Sequence, residues 1–229
     1  MLDFGFYNMD CMEGMKQFPN KYFDFAIVDP PYGINYDVAV QKNAGKRSKN
    51  GAALKKNYHT SNWDASIPPK EYFDELFRVS KNQIIWGGNY FTEYLRPSRA
   101  FICWDKRLEG LQRSFADCEY AWLNNELGVA RMFRYVWDGM IQENMKNKEY
   151  RIHPTQKPVA LYEWILNQYA KKGDIILDTH VGSASSLIAC HNMNHKFVGF
   201  EIDAEYYKQA KQRLDAEMSQ MNIYDFIGV

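Results

Sequence analysis

Several features that would place this 229-residue chain in a common class of protein are missing. Acidic and basic residues balance at 28 each, so the chain is not a generally basic coat for nucleic acid. The four cysteines stand apart without a C-x-x-C pair, which argues against a disulfide scaffold or a zinc cluster. No apolar run approaches the roughly 20 residues of a membrane span, and the first ten residues lack a basic start and an apolar core. We therefore expect a cytoplasmic protein with no membrane contact and no metal.

What the chain does contain is material for a sizeable core, since 46% of its residues are hydrophobic and 16% are aromatic. Short apolar runs that end in polar residues alternate with stretches of helical spacing. This alternation predicts a single α/β domain with a doubly wound sheet. The expected strands are 25–28, 83–86, 100–104, 118–123, 175–177 and 197–200, and the expected helices are one that opens at 68 and those at 158–169, 183–192 and 204–218.

A long polar segment, 35–62, interrupts the alternation. It is rich in Lys, Asn, Gly and Ala and is too long for an ordinary connection, so we expect a mobile loop. Six basic side chains stand there against one acidic side chain, a local charge of +5 in a neutral chain. Such a loop can clamp DNA phosphates, although a merely solvated loop is about equally well supported. The basic residues are Lys42, Lys46, Arg47, Lys49, Lys55 and Lys56.

The first strong strand runs directly into the tetrapeptide Asp29-Pro30-Pro31-Tyr32. Ligands of open α/β sheets bind at the carboxyl ends of strands, and two prolines hold the acid there on a stiff turn with free carbonyl groups. An acidic oxygen beside a carbonyl oxygen suits an –NH2 group, which has two donors, and the Tyr32 ring offers a face on which a base can stack. A plain strand-ending turn is the alternative, but the four residues together favour a functional site.

A second strand, loop and helix, starting near residue 175, predicts a nucleoside-cofactor site. Its loop has one glycine, Gly182, so the G-x-G-x-x-G fingerprint is missing and a cofactor without a pyrophosphate fits better. Glu201 follows 19 residues later at a strand end, where an acid can bind ribose hydroxyls. Thr155 and Lys157, at a predicted helix start, suit a carboxylate, although a helix cap explains Thr155 alone better.

Together these motifs resemble the DNA amino-methyltransferases, which methylate adenine N6 or cytosine N4. In that family a tetrapeptide like 29–32 holds the flipped base, and a loop like 178–185 binds S-adenosylmethionine. The resemblance implies that Asp29 and the Pro30 carbonyl accept hydrogen bonds from the target amine while Tyr32 stacks on its ring. Asp in the first position favours adenine over cytosine. The order of the motifs, tetrapeptide first, is the circularly permuted arrangement of the beta group.

The same resemblance implies the remaining parts of a methyltransferase with a Rossmann-like sheet. The stretch 124–152 lies where the family places its target-recognition region, the partner is double-stranded DNA, and members often pair as homodimers. Ala184 replaces the last glycine of the family's cofactor loop, and its Cβ can narrow the approach to the cofactor. The implied cofactor-binding residues are Asp10, Cys11, Asp29, His153, Thr155, Lys157, Asp178, His180, Val181, Gly182, Ser183, Ser185, Glu201 and Ile202.

The predicted function is therefore site-specific adenine-N6 methylation of DNA, as in restriction–modification systems. The nearest alternative is a cytosine-N4 enzyme or one that acts on structured RNA. An inactive DNA-binding protein with a decayed cofactor site, at which Ala184 hints, is the alternative from another class.

Overall fold

The protein is described by a computed structural model that covers residues 1–36, 38, 42, 58–59, 62–109, 116–138 and 141–219. No helix within these ranges is long and apolar enough to span a membrane. The strands are β1 (Gly5–Asn8), β2 (Phe23–Val28), β3 (Ser80–Trp86), β4 (Phe101–Asp105), β5 (Cys118–Leu123), β6 (Arg131–Arg134), β7 (Trp137–Asp138), β8 (Ile141–Gln142), β9 (Ile175–Asp178) and β10 (Lys196–Glu201).

Eight strands form one mixed sheet in the order β1-β10-β9-β2-β3-β5-β4-β6, and β7 and β8 form a small hairpin. Within the large sheet, β5 pairs antiparallel with both of its neighbours, and every other pair is parallel. The alternation of strands and helices in the sequence thus predicted the fold class correctly.

Five helices among the described residues cover the two faces of the sheet. They are α1 (Cys11–Met15), α2 (Lys70–Val79), α3 (Val159–Tyr169), α4 (Ser185–Asn192) and α5 (Ala204–Met218). The first two pack on one face, where Met15 and Leu76 are fully buried. Helices α3 and α4 cover the other face through Leu161, Ile165 and Ala189, and α5 packs beside α4 against β1 and β10. Helices α2 to α5 bury apolar side chains at helical spacing, which is what their sequence predicts.

The six strands expected from the sequence are present, with ends that differ by three residues at most. The sequence patterns missed β1, α1 and the short strands β6 to β8. Both β1 and β6 are four-residue strands at the edges of the sheet, and Phe6 is the single buried residue of the two. An edge strand with one buried side chain carries too little apolar alternation to be recognised.

The position of the site follows from where two parts of the chain meet. Strand β2, from the beginning of the chain, lies beside β9, from its last third, at the centre of the sheet. The carboxyl ends of the parallel strands meet at one edge, and the amino end of the antiparallel β5 arrives at the same edge. Open α/β sheets bind ligands in the crevice at such a switch point.

Candidate active site

A cavity of about 960 Å³ opens at this edge of the sheet. Its wall contains the tetrapeptide 29–32 after β2, Gly87 after β3, the loop 180–183 after β9, and Glu201 at the end of β10. Sites for small molecules usually measure about 300–1,000 Å³, so there is room for a nucleoside ligand beside a second ring. The two motifs that the sequence places 149 residues apart, at Asp29 and Asp178, thus converge on one edge.

The catalytic turn is held in shape by Asp64, which the sequence patterns did not identify. Its carboxylate accepts hydrogen bonds from the backbone N–H groups of Tyr32 (2.8 Å), Gly33 (2.9 Å) and Tyr36 (2.9 Å). Asp64 is 2% exposed and lines the cavity. Pro30 and Pro31 have no N–H group to donate, so these three bonds, together with the bond from the Asn35 N–H to the Asp64 carbonyl (3.0 Å), tie the turn to Asp64.

Both carboxylate oxygens of Asp29 are engaged by side chains of the protein. The Tyr32 hydroxyl donates to Oδ1 at 2.6 Å, and the Lys157 ammonium donates to Oδ2 at 2.5 Å. A carboxylate offers about four lone-pair sites, so two remain for a ligand in the cavity. Asp29 is therefore a fixed acceptor rather than a freely rotating one.

A row of alternating charges extends from Asp29 along the cavity wall. Lys157 also lies 3.2 Å from Glu119, at the start of β5, and Glu119 accepts from Lys106 at 2.6 Å. Burial alone would raise the pKa of Glu119, but the two lysines lower it to about 2. Burial would lower the pKa of Lys157, but Asp29 and Glu119 together raise it above its ordinary value. Glu119 and Lys157 are therefore both ionised at neutral pH.

The Tyr32 ring occupies space that a side chain at position 87 would fill, and residue 87 is a glycine. A Cβ on Gly87 would come within 2.2 Å of the Tyr32 ring, and the φ of +69° at Gly87 also favours glycine. On the ring, Tyr90 is stacked at a centroid distance of 4.8 Å and an interplanar angle of 13°. Tyr90 is 41% exposed and lines the cavity, so the two rings form an aromatic wall beside Asp29.

The cofactor-type loop after β9 is closed by Glu201. Its carboxylate accepts from the N–H of Gly182 and from the N–H of Asp203, both at 2.9 Å. Gly182 has φ +56°, and an added Cβ there would meet no heavy atom closer than 4.0 Å. The backbone of this loop therefore faces open cavity, as a cradle for a ligand requires.

Ala184 does not narrow the approach to the cavity, contrary to the expectation from the sequence. Ala184 adopts a left-handed φ of +63°, a conformation that favours glycine. Its side chain is fully buried in an apolar cluster with Leu187 and Ala210 and does not line the cavity. The Cβ fills the core behind the loop, so it gives no sign of a decayed site.

Three of the fourteen predicted cofactor residues lie outside the cavity wall. Asp178 is buried beneath the loop, where it accepts from the Ser186 hydroxyl (2.5 Å) and the N–H of His180 (3.0 Å), and burial raises its pKa to about 7. Asp10 caps α1 by accepting from the N–H of Met12 at 2.7 Å. Burial raises the pKa of Cys11, the first residue of that helix, to about 12. Asp178 and Asp10 thus have hydrogen-bond partners within the protein, and their contact with the cofactor stays a prediction.

The other eleven line the cavity, and His153 is central among them. Burial and the nearby Lys157 lower the pKa of His153 to about 3, so the ring is neutral and its Nδ1 accepts from the Thr155 N–H and interacts with the Thr155 hydroxyl. Tyr206 packs on the His153 ring at 4.3 Å and Trp63 at 5.0 Å. These two aromatic residues were not predicted, because neither follows a recognisable strand.

The predicted basic loop is mostly outside the described residues. Lys42 is described, and it is exposed. Lys46, Arg47, Lys49, Lys55 and Lys56 lie outside the described ranges, so their proposed contact with DNA stays a prediction.

Comparison with known proteins identifies the family. The DNA methylase family N6_N4_Mtase matches residues 116–212. The type II methyltransferase M.BglII of Bacillus subtilis is 36% identical over 252 residues, which cover 94% of this chain and 70% of the relative. The chain belongs to the DNA amino-methyltransferase family.

Other methyltransferases are also similar to the chain. The DNA adenine methyltransferase YhdJ of Escherichia coli K12 is 43% identical over 67 residues, 29% of this chain and 23% of YhdJ. The chain spans 25%, 53% and 52% of the length of three further curated type II methyltransferases. The crystal structure of M1.HpyAVI in complex with S-adenosylmethionine has the same fold, with a TM-score of 0.54, 23% identity, and coverage of 91% of this chain and 98% of that one.

Proposed function

We propose that this chain transfers a methyl group from S-adenosylmethionine to N6 of a flipped adenine in double-stranded DNA. The observation that carries the proposal is that Asp29, Tyr32 and the Gly182 loop with Glu201 line one cavity. An acceptor group for an amine and a cradle for a nucleoside cofactor therefore face the same space, which is what direct transfer between two bound molecules requires.

The residues of the loop fit S-adenosylmethionine. Each carboxylate oxygen of Glu201 accepts one hydrogen bond from a backbone N–H group, and its other lone pair can accept from a ribose hydroxyl. Gly182 lets the backbone approach the ligand, and Thr155 and Ser183 place hydroxyl groups on the wall nearby. When bound, this cofactor supplies an electrophilic methyl group on a sulfonium.

The catalytic turn supplies acceptors for the target amine. The exocyclic nitrogen of adenine is a poor nucleophile because its lone pair is delocalised into the ring. Asp29 and the Pro30 carbonyl would accept hydrogen bonds from its two N–H bonds. These bonds would draw the nitrogen towards tetrahedral geometry, which localises the lone pair. Tyr32 and Tyr90 provide the surface on which the flipped base rests. Positioning of the two reactants can contribute roughly 7–11 kcal/mol, more than the few kcal/mol that flipping a base costs.

Two observations support adenine rather than cytosine as the proposed substrate. Asp29 stands where cytosine-N4 enzymes of the family more often carry Ser, and the matched relative YhdJ is named an adenine methyltransferase. Incubation with labelled S-adenosylmethionine and unmethylated duplex DNA, followed by digestion to nucleosides, should give labelled N6-methyladenine. Labelled N4-methylcytosine, label in RNA alone, or neither label nor cofactor binding would each contradict the proposal.

The variant Asp29→Ala tests the role of the acceptor. It should abolish methyl transfer while the Kd for S-adenosylmethionine stays within a few-fold of wild type, because Asp29 serves the amine. Wild-type rates in this variant would remove Asp29 from the mechanism.

Two segments are proposed to contact the DNA. The basic loop 35–62 would bind phosphates, and 124–152 would read the target sequence as a short recognition region. Replacing Lys46, Arg47 and Lys49 by Ala should weaken DNA binding and flatten its salt dependence, because each lost phosphate contact lowers the slope. An unchanged slope would show that the loop does not bind DNA.

A homodimer is also proposed, supported by an uncovered part of the sheet. On the face that α1 and α2 cover elsewhere, α2 reaches β5 through the contact of Phe77 with Trp122, and large apolar side chains of β4 to β6 beyond this contact are exposed. There Phe101, Tyr120 and Met132 are 39%, 45% and 65% exposed, and the last two flank Cys103 in one row. Light scattering should give a dimer for wild type and a monomer for Met132→Lys. A monomeric wild type would contradict this assembly.

A further inference from the structure

Lys157 lies in an unusual environment for a residue that would bind a free ligand. It precedes α3, 128 residues along the chain from Asp29, and its side chain is 3% exposed. Its ammonium lies between two carboxylates, 2.5 Å from Asp29 and 3.2 Å from Glu119. It also lies 5.2 Å from the centre of the Trp86 ring, which adds a cation–π contact.

The charges around Lys157 are already balanced. One ammonium faces two carboxylates, and the second carboxylate, Glu119, is shared with Lys106. The methionine carboxylate of a cofactor would be a third anion at the same nitrogen and would have to displace one of the two. In a buried setting, where unpaired charges are costly, this exchange is unfavourable. The geometry therefore does not favour Lys157 as the cofactor ligand that the sequence suggested.

The ammonium instead determines the orientation of Asp29. Lys157 holds Oδ2 and the Tyr32 hydroxyl holds Oδ1, so the carboxylate plane has two fixed points. Glu119, in turn held by Lys106, keeps the ammonium in place from the far side. The antiparallel direction of β5 brings Glu119 to this edge, so the row joins the ends of β2, β5 and β4.

We propose that Lys157, held by Glu119, is a positioning residue that orients the Asp29 carboxylate for the target amine. This inference rests on the proposed function, since it assigns a role within the same reaction. The two possible roles of Lys157 predict different effects of replacing it. If Lys157 orients Asp29, its replacement lowers the rate of methyl transfer, whereas if Lys157 binds the cofactor, its replacement weakens cofactor affinity.

The test compares Lys157→Met and Glu119→Gln with wild type on unmethylated duplex DNA. We expect kcat to fall by about 10²-fold in Lys157→Met, the size of effect produced by misplacing a reacting group by about 1 Å. Glu119→Gln should lower kcat by a smaller factor, and Lys157→Arg, which keeps the charge, should recover part of the loss. The Kd for S-adenosylmethionine, measured by calorimetry, should stay within about twofold in all three. Lys171→Met, at an exposed lysine, is the matched control.

Two results would overturn the inference. One is a Kd for S-adenosylmethionine that rises tenfold or more in Lys157→Met with kcat at saturation unchanged, which would make Lys157 a cofactor ligand. The other is a kcat within twofold of wild type in both Lys157→Met and Glu119→Gln. If Lys157→Met does not fold, Glu119→Gln and Lys157→Arg decide by the same criteria. A wild-type protein that methylates no DNA would instead contradict the proposed function, and it is measured in the same series.

Discussion

Replacing Asp64 by Asn tests whether one buried carboxylate shapes the catalytic turn. Its Oδ1 accepts from the N–H groups of Tyr32 and Gly33, and its Oδ2 accepts from the N–H of Tyr36. The amide oxygen of Asn can keep the first two bonds. Its NH2 group would then face the N–H of Tyr36, a donor against a donor. The change is nearly isosteric, so the loss of the third bond is the main perturbation.

The size of the effect follows from that one bond. A hydrogen bond to a charged group contributes about 1.5–3 kcal/mol to stability. In a protein of this length, 1 kcal/mol shifts Tm by roughly 2–4 °C, so Asp64→Asn should lower Tm by roughly 3–12 °C. Asp64→Ala should lower it further, because all three N–H groups lose their acceptor. The rate of methyl transfer should fall in both variants, since the turn carries Asp29.

Differential scanning calorimetry measures the shift, and Asp74→Asn is the control. Asp74 pairs with Lys70 on the surface of α2 with its side chain 60% exposed, and a surface pair contributes only about 0–1 kcal/mol. A Tm for Asp64→Asn within 2 °C of wild type, or a shift no larger than that of the control, would refute the role given to Asp64.

Two further predictions follow from the site. Gly87→Ala should abolish most activity because its Cβ would collide with Tyr32, whereas Gly173→Ala, at another positive φ but with no atom within 4 Å, should keep activity in the same methylation assay. Burial raises the pKa of Asp178 to about 7, so between pH 3.8 and pH 7 the unfolded chain ionises this carboxyl while the folded protein does not, and stability falls as the pH rises. Asp178→Asn, which never ionises, should therefore gain Tm relative to wild type between about pH 5 and pH 8, and a constant difference would contradict this; Asp215→Asn, on an exposed helix face, should show no such trend.

Much of the site could be predicted from the sequence because the sequence indicates where the strands end. The apolar strand before Asp29 and the strand before Glu201 each predict where a parallel strand stops, and carboxyl ends of parallel strands share an edge. The same reasoning missed Glu119, which stands inside a strand that was predicted correctly as residues 118–123. A pattern of apolar residues carries no sign of strand direction, so nothing indicated that the start of β5 would reach the catalytic edge.

Lys157 shows a second limit of sequence patterns. The sequence assigned Lys157 to a cofactor carboxylate, whereas in the structure its ammonium contacts the carboxylates of Asp29 and Glu119 from distant parts of the chain. Asp64 was missed for a related reason, since its partners are backbone N–H groups, which leave no signature in the sequence. Local chemistry is thus predictable, whereas partners that only tertiary packing brings together are not.

The pairing of β1 with β10 has a consequence for how the protein folds. Gly5 pairs with Val198, and among the described residues β10 is the one strand beside β1 in the sheet. At synthesis rates of about 5–20 residues per second, β1 waits roughly 10–40 s before its partner strand exists. Contacts of such long range make folding slow and leave strand edges open to other chains meanwhile. Asp29 can likewise meet Lys157 only after the last third of the chain has begun to be synthesised.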